Sequence, residues 1–346
     1  MSDRKPIHYP CPTPPAPGEV QELAEGVFWI RLPMPMVLDH VNVYALADDD
    51  GWTLVDTGMD TPRTRALWQD LLAGPLAGRP VARVLVTHHH PDHIGLAGWF
   101  VSDHGAELIT TRTAWLFARM LRLDVQEVPP PETLAFWRRA GMDAQILAER
   151  AQERPMNYAD GMAWLPLGFR QIGEGAVLRL AGRDWEVRLG GGHAPDHATL
   201  WCRDAPLVIA GDQILPSISS NIGVYATEPE ADPLADWIAA CHRLKVAAAP
   251  DQLVLPGHQL PFTGVAARLA QLIAGHETAL DRLRAHLAEP HTAAGCFPAL
   301  YKRPIGKAEY GLALVEAIAH INHLKTRGEV RGRLREDGAM LWQIRG

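Results

Sequence analysis

Val81-Ala82-Arg83-Val84-Leu85-Val86-Thr87-His88-His89-His90-Pro91-Asp92-His93-Ile94-Gly95 is the stretch on which the reading of this chain turns. Its valine-rich first six residues have the composition of a buried strand. Four imidazoles and a carboxylate then follow between positions 88 and 93. Alternate residues at a strand end share a face, so His88 and His90 fall on one side and His89 points away. Asp92 and His93 come on the turn beneath them. Imidazole nitrogen and carboxylate oxygen are donors that suit zinc and related divalent ions. The six residues therefore read as half of a two-metal site. His-x-His-x-Asp-His behind an apolar strand is too demanding a pattern for an ordinary surface histidine cluster.

Three more strand ends deliver a ligand-type residue beside glycine. Gly190-Gly191-Gly192-His193 follows the strand Trp185 to Leu189, Gly211-Asp212 follows Leu207 to Ala210, and Pro256-Gly257-His258 follows Leu253 to Leu255. Glycine permits close backbone approach and unusual φ, as a crowded ligand shell requires. His197, four residues after His193, is a candidate to line the site, as is His40 from the loop before Val41. Tyr225, on the loop 219–225 after Asp212, is a candidate donor to negative charge developing on a substrate.

The rest of the chain fits a soluble enzyme of this kind. It has 346 residues, 47% of them hydrophobic and 21% charged, with a net charge of −7. That length accommodates a large domain with a smaller one appended. No apolar run reaches the ~18 residues a membrane span needs, and the polar, proline-rich start lacks a secretory apolar core. A cytoplasmic location is expected. Cys11, Cys202, Cys241 and Cys296 are too scattered for a disulfide framework or a thiolate zinc site.

Residues 1–18 read as a proline-rich extended arm. Strands and helices then suggest two sheets with helices outside over 19–264, interrupted by a helical insert at about 110–169. Trp115, Phe117, Met120, Phe136, Trp137, Tyr158, Met162 and Trp164 make this insert either a cap with its own core or the wall of an apolar pocket. Residues 265–346 form a helical, winged-helix-like C-terminal domain, with a helix at Tyr310 to Thr326 and a hairpin at Val330 to Leu334 and Met340 to Ile344. Leu312, Val315, Ala319 and Leu324 put an apolar stripe on that helix. Residues 296–346 carry +4, leaving −11 on the remainder.

Over roughly residues 20–262 the sequence resembles the metallo-β-lactamase superfamily of hydrolases. The resemblance implies an αββα sandwich of mixed α/β (α+β) class. It also implies that His88, His90 and His193 hold one metal and that Asp92, His93 and His258 hold a second, with Asp212 bridging. Val55-Asp56-Thr57-Gly58 matches a structural motif of the superfamily in which the aspartate supports the site without being a ligand. Aspartate at 212, in place of cysteine, is similar to the glyoxalase II, lactonase and ribonuclease branches.

The implied cofactors are two divalent ions, zinc by ligand type with iron or manganese as alternatives. The implied chemistry is attack by a metal-bridged hydroxide on a carbonyl carbon of a small, partly apolar ester-like substrate. Asp92 is both a ligand and a candidate proton acceptor. A lactamase-like domain followed by a winged-helix-like one also resembles the lactamase-like protein 2 group, which includes metal-dependent endoribonucleases. RNA is then an alternative partner, engaged by Arg327, Arg331, Arg333 and Arg335 on the wing. The same C-terminal domain also fits a device that pairs two copies of the chain as a homodimer. A non-hydrolytic, iron-binding member of the superfamily is a third class of function compatible with the ligand pattern.

Overall fold

The computed structural model describes residues 7–345; the first six residues of the expected N-terminal arm lie outside them. The arm's described part joins a sheet edge at one point, where His8 and Thr263 form an antiparallel bridge.

Two sheets carry the first compact unit, which comprises residues 1–125, 157–220 and 243–269. The first sheet runs β1 (Gln21–Ala24), β2 (Val27–Pro33), β3 (His40–Asp48), β4 (Gly51–Val55), β5 (Val81–Leu85), β6 (Glu107–Thr111) and β7 (Arg170–Ile172), in chain order. The second contains β8 (Val177–Leu180), β9 (Arg183–Gly190), β10 (His197–Cys202), β11 (Leu207–Gly211), β12 (Leu253–Pro256) and β13 (Phe262–Thr263). Inward-facing side chains of both sheets share one core, with Trp29, Tyr44, Val55, Leu85 and Ile109 on one side and Leu180, Trp185, Val187, Leu200 and Leu255 on the other. The other face of the first sheet is covered by α1 (Pro62–Ala73), α3 (Ala97–His104) and α4 (Arg112–Leu123) through Trp68, Leu71, Phe100 and Ala118. Three buried tryptophans of this unit have satisfied N–H groups: Trp29 donates to Asn42 Oδ1 at 2.9 Å, Trp68 to Thr57 O at 2.8 Å, and Trp185 to Leu180 O at 3.0 Å.

Register explains why the strand ends that carry the expected ligands gather. β4, β5 and β6 are mutually parallel, so Asp56 and the histidine loop leave the sheet at the same end. In the second sheet β11 and β12 are parallel, which brings Asp212 and His258 out together. β10 is antiparallel to both β9 and β11, and its first residue, His197, pairs with Gly190. The loop 191–196 therefore lies at that end too. Between β5 and α3, a one-turn helix α2 (Pro91–Ile94) starts on Pro91, which fixes φ and holds the preceding His90 extended at φ −66°, ψ 145°.

The stretch expected as one insert at 110–169 divides in the structure. It is the connection between the parallel neighbours β6 and β7. Its ends, with α4, belong to the first unit, while α5 (Pro131–Arg139) and α6 (Ala144–Arg150) belong to the second. The second unit comprises 126–156, 221–242 and 270–346. It takes parts of α7 (Pro233–Ala247) and α8 (Val265–His286), then α9 (Phe297–Leu300), α10 (Tyr310–Thr326) and the hairpin β14 (Val330–Leu334) with β15 (Met340–Ile344). On α10 Val315, Ala319 and Leu324 are buried, but Leu312 is exposed. Among the described residues, no helix is long and apolar enough to cross a membrane, and none of the four cysteines is joined in a disulfide.

Candidate metal centre

Asp56 follows directly after β4 with a left-handed backbone, φ 62°. Its Oδ1 accepts from Thr87 N at 2.8 Å, and its Oδ2 accepts from Thr87 Oγ1 at 2.8 Å and from His93 Nδ1 at 2.7 Å. A carboxylate only accepts, so His93 carries its proton on Nδ1 and turns Nε2 towards the centre. Thr57 adds a hold on the same turn, its amide and hydroxyl both donating to the His93 carbonyl. Thr87 Oγ1 is also 3.0 Å from His88 Nδ1, which leaves His88 Nε2 facing inward.

The inward-facing atoms form interlocking groups. His88, His90 and His193 bring one ligand atom each within 4.8 Å of one another, as do Asp92, His93 and His258, and also His88, His93 and Asp212. His88 Nε2 is 3.1 Å from His90 Nδ1. Asp212 faces three of the histidines directly: Oδ1 lies 3.3 Å from His93 Nε2, while Oδ2 lies 3.2 Å from His258 Nε2 and 3.5 Å from His193 Nε2. Asp92 Oδ2 is 3.3 Å from His258 Nε2 and 3.5 Å from His93 Nε2. All seven residues expected as ligands thus converge. Buried polar atoms normally find partners, yet His93 Nε2 and Asp212 Oδ1 make no hydrogen bond. Nitrogen and carboxylate donors left bare in a buried pocket fit divalent metal binding.

Electrostatics agrees with that fit. Burial and the neighbouring imidazoles hold His88 and His90 well below the ordinary histidine range, as neutral ligands must be. Burial also opposes charge on His93 and His258, but Asp212 and Asp92 outweigh it, raising His93 well above its ordinary value and His258 to about 10. For Asp92 and Asp212 burial opposes ionisation, and the facing imidazoles reverse that, keeping both carboxyls well below their usual range. Without metal, protons on His93 and His258 balance the carboxylates.

Glycine at the strand ends has a steric reason. A Cβ on Gly257 would lie 2.2 Å from Asp212 Oδ1 and 2.8 Å from His93 Cε1. At Gly211, with φ 48°, it would meet the His197 ring at 2.6 Å. Residues of the candidate centre and its surroundings crowd the backbone too closely for any side chain there.

His197, expected to line the site, is fully buried. Its Nε2 accepts from Asp212 N at 3.1 Å and its ring stacks on His88 with centroids 4.5 Å apart. It therefore reaches a substrate only through those two residues. His40 likewise acts on His258: its carbonyl accepts from His258 Nδ1 at 2.7 Å, and its Nε2 accepts from Gln259 N at 2.9 Å. Tyr225 is an exposed side chain of the second unit. His89 joins none of these ligand groups: its ring lies 4.6 Å from that of His90, 5.2 Å from Phe117 and 6.1 Å from Tyr158. Sequence reading gave no role to Thr87 or Thr57; their signal is a hydroxyl residue directly before His88 and another directly after Asp56.

Comparison with known proteins accords with this geometry. The pattern of the "Metallo-beta-lactamase superfamily" matches residues 36–258, and that of the "Metallo-beta-lactamase-like, C-terminal domain" matches 280–344. A probable metallo-hydrolase of Bacillus subtilis (strain 168), YqjP, is 27% identical over 87% of this chain and 92% of its own length. The crystal structure of a beta-lactamase domain protein from Burkholderia ambifaria superposes with a TM-score of 0.89 at 35% identity, covering 98% of both chains. A metallo-beta-lactamase family protein from Thermus thermophilus follows at TM-score 0.76 and 27% identity, over 94% of this chain and all of that one. The chain belongs to the metallo-beta-lactamase superfamily.

Proposed function

We propose that the protein is a dinuclear-metal-dependent hydrolase that cleaves a thioester, lactone or other ester-like bond in a small, partly apolar substrate. Asp212 carries this reading: its two oxygens face His93 on one side and His193 and His258 on the other, at 3.2–3.5 Å. His88, His90 and His193 would hold one ion and Asp92, His93 and His258 the other, with Asp212 shared. Divalent ions bound there, zinc by donor type or iron or manganese, supply an acidified water and a Lewis acid for the substrate oxygen. The name of the Bacillus relative, a probable metallo-hydrolase, accords with this.

The chain's own residues do the rest. Asp56, Thr87 and the His40 carbonyl fix the rings of His93, His88 and His258, so that the inward nitrogens are the unprotonated ones when the site is loaded. Asp92 has the most accessible carboxylate of the set, its side chain 16% exposed. Held ionised, it takes the proton released during attack and returns it to the leaving group.

Apolar surface supports a substrate with an apolar part. Leu116, Met120 and Leu123 on α4, together with Trp164, are exposed, and Phe117 of the same helix touches His89. The wing gives less support to RNA. Arg327 pairs with Glu329 at 2.6 Å, Arg335 with Asp337, and Arg331 Nη2 donates to Gln343 at 3.1 Å. Carboxylate pairing of Arg327 and Arg335 takes up half of the four arginines' charge, which weakens the wing as a phosphate surface.

The test is a panel run on metal-loaded protein: a thioester, an acyl lactone, a β-lactam, a phosphodiester and a short RNA, each beside Asp212→Ala. Turnover of a carbonyl substrate that disappears in the variant is expected. Cleavage of only the phosphodiester or the RNA would replace carbonyl attack with phosphoryl attack.

A further inference from the structure

A second group of metal-type donors lies in the other compact unit. His276 on α8 and Glu316 and His320 on α10 each bring one ligand atom within 4.8 Å of the other two. His276 Nδ1 is 3.3 Å from His320 Nε2, with ring centroids 5.4 Å apart. Two nitrogens bound to one tetrahedral zinc at ~2.0–2.1 Å are about 3.3 Å apart, so this spacing already matches a shared ion.

The protonation pattern points the same way. His320 Nδ1 lies 2.8 Å from the Glu316 carbonyl oxygen, which can only accept, so Nδ1 bears the proton and Nε2 presents its lone pair to His276. A ring N–H given to a backbone carbonyl is how proteins orient a metal-binding imidazole. Glu316 Oε2 receives Tyr301 Oη at 3.3 Å and Asn221 Nδ2 at 3.2 Å, both uncharged donors. These orient the carboxyl without bringing positive charge to it, and burial raises its pKa to about 7.

A separate observation comes from the next turn. Residues 316, 320 and 323 follow the i, i+4, i+7 spacing of one helix face. His323 Nδ1 is oriented by Asp232 at 3.1 and 3.2 Å, yet its buried Nε2 makes no hydrogen bond. A carboxylate-oriented imidazole with a bare second nitrogen thus continues the stripe that begins at Glu316.

We infer that His276, Glu316 and His320 form an additional divalent-metal site of zinc type that ties α8 to α10. Its donors come from two helices, so the ion binds the folded unit and not the unfolded chain, and stabilises it by mass action. The inference does not depend on the hydrolase reading, because none of its residues belongs to the Asp212 centre.

The experiment uses full-length protein carrying His88→Ala, His93→Ala and Asp212→Ala, which strips ligands from both triads of the centre. After chelation and dialysis it is titrated with zinc chloride, and bound metal and thermal melting are followed. About one zinc per chain is expected, with a Tm rise of about 5 °C at a hundredfold excess over Kd. Both should vanish on adding His276→Gln with His320→Gln. Absence of zinc uptake together with an unmoved Tm would overturn the inference. So would uptake that survives the added pair. Should the stripped protein fail to fold, the same pair is made in the otherwise intact chain. Its zinc content should fall by one per chain while hydrolysis persists; an unchanged content overturns the site.

Discussion

Replacing Asp56 by Asn isolates the support of the metal centre from its ligands. Asparagine keeps the shape and tolerates the left-handed backbone at φ 62°, so the turn itself survives. Its chemistry is different. The carboxylate accepts three hydrogen bonds, from Thr87 N, Thr87 Oγ1 and His93 Nδ1. An amide has one oxygen. If that oxygen stays with Thr87 N, the amide NH2 faces the His93 N–H, and two donors oppose each other. Relief requires His93 to move its proton to Nε2, the atom that faces Asp212 at 3.3 Å. The flipped amide instead opposes Thr87 N. Either way a buried charge-assisted bond worth about 1.5–3 kcal/mol is lost, and metal affinity or hydrolysis should fall by about 10–100-fold. Competition with a chromophoric chelator measures the affinity, and circular dichroism verifies the fold. Metal affinity within about twofold of wild type, in a folded variant, would refute the proton assignment on His93.

Other expectations follow from the same geometry. Gly257→Ala drives a Cβ to 2.2 Å from Asp212 Oδ1; it should cost about 1–3 kcal/mol of stability and weaken metal binding, read by urea melts and metal analysis. Asp92→Asn should lower kcat by about 10²-fold or more if this carboxylate carries the proton; an unchanged kcat on fully loaded protein would remove that role. The chelated protein should lose stability as pH falls from about 6.5 towards 4. Burial holds His89, His197 and His276 at about 3 and His320 at about 4, below the unfolded value, so the unfolded chain binds protons first and each group removes about 1.4 kcal/mol per pH unit. A urea midpoint at pH 5 equal to that at pH 7 would contradict this. Metal affinity should rise with pH, because His258, raised to about 10, must give up its proton to bind; an isothermal titration giving the same affinity at pH 6 and 8 would deny proton release.

Local chemistry was legible in the sequence wherever one segment contained its own explanation. Val81 to Asp92 announced a strand ending in ligands, and glycine beside His258 and Asp212 signalled crowding that the 2.2 Å approach at Gly257 now quantifies. The helix Tyr310–Thr326 and the hairpin Val330–Leu334 with Met340–Ile344 lie where their residue patterns placed them. What depended on distant partners was not. His197 looks like a site-lining residue until its ring is found beneath Asp212 and His88. His40 gives its backbone carbonyl, which no side-chain pattern encodes. β7 and β13 are too short for periodicity, and the helices between β6 and β7 look like one insert because the sequence does not reveal which core each apolar face joins. His276 and His320 are 44 positions apart, and only the pairing of α8 with α10 brings them within 3.3 Å.

The measurement that bears most directly on the central claim is the rate of ester hydrolysis by the chelated chain as zinc is returned in known equivalents, with Asp212→Ala run alongside. A two-ion centre sharing Asp212 requires negligible turnover without metal, a rise that completes only after more than one equivalent is bound, and loss of at least about 10²-fold in the variant. Undiminished hydrolysis after chelation, or wild-type turnover in Asp212→Ala, would contradict it.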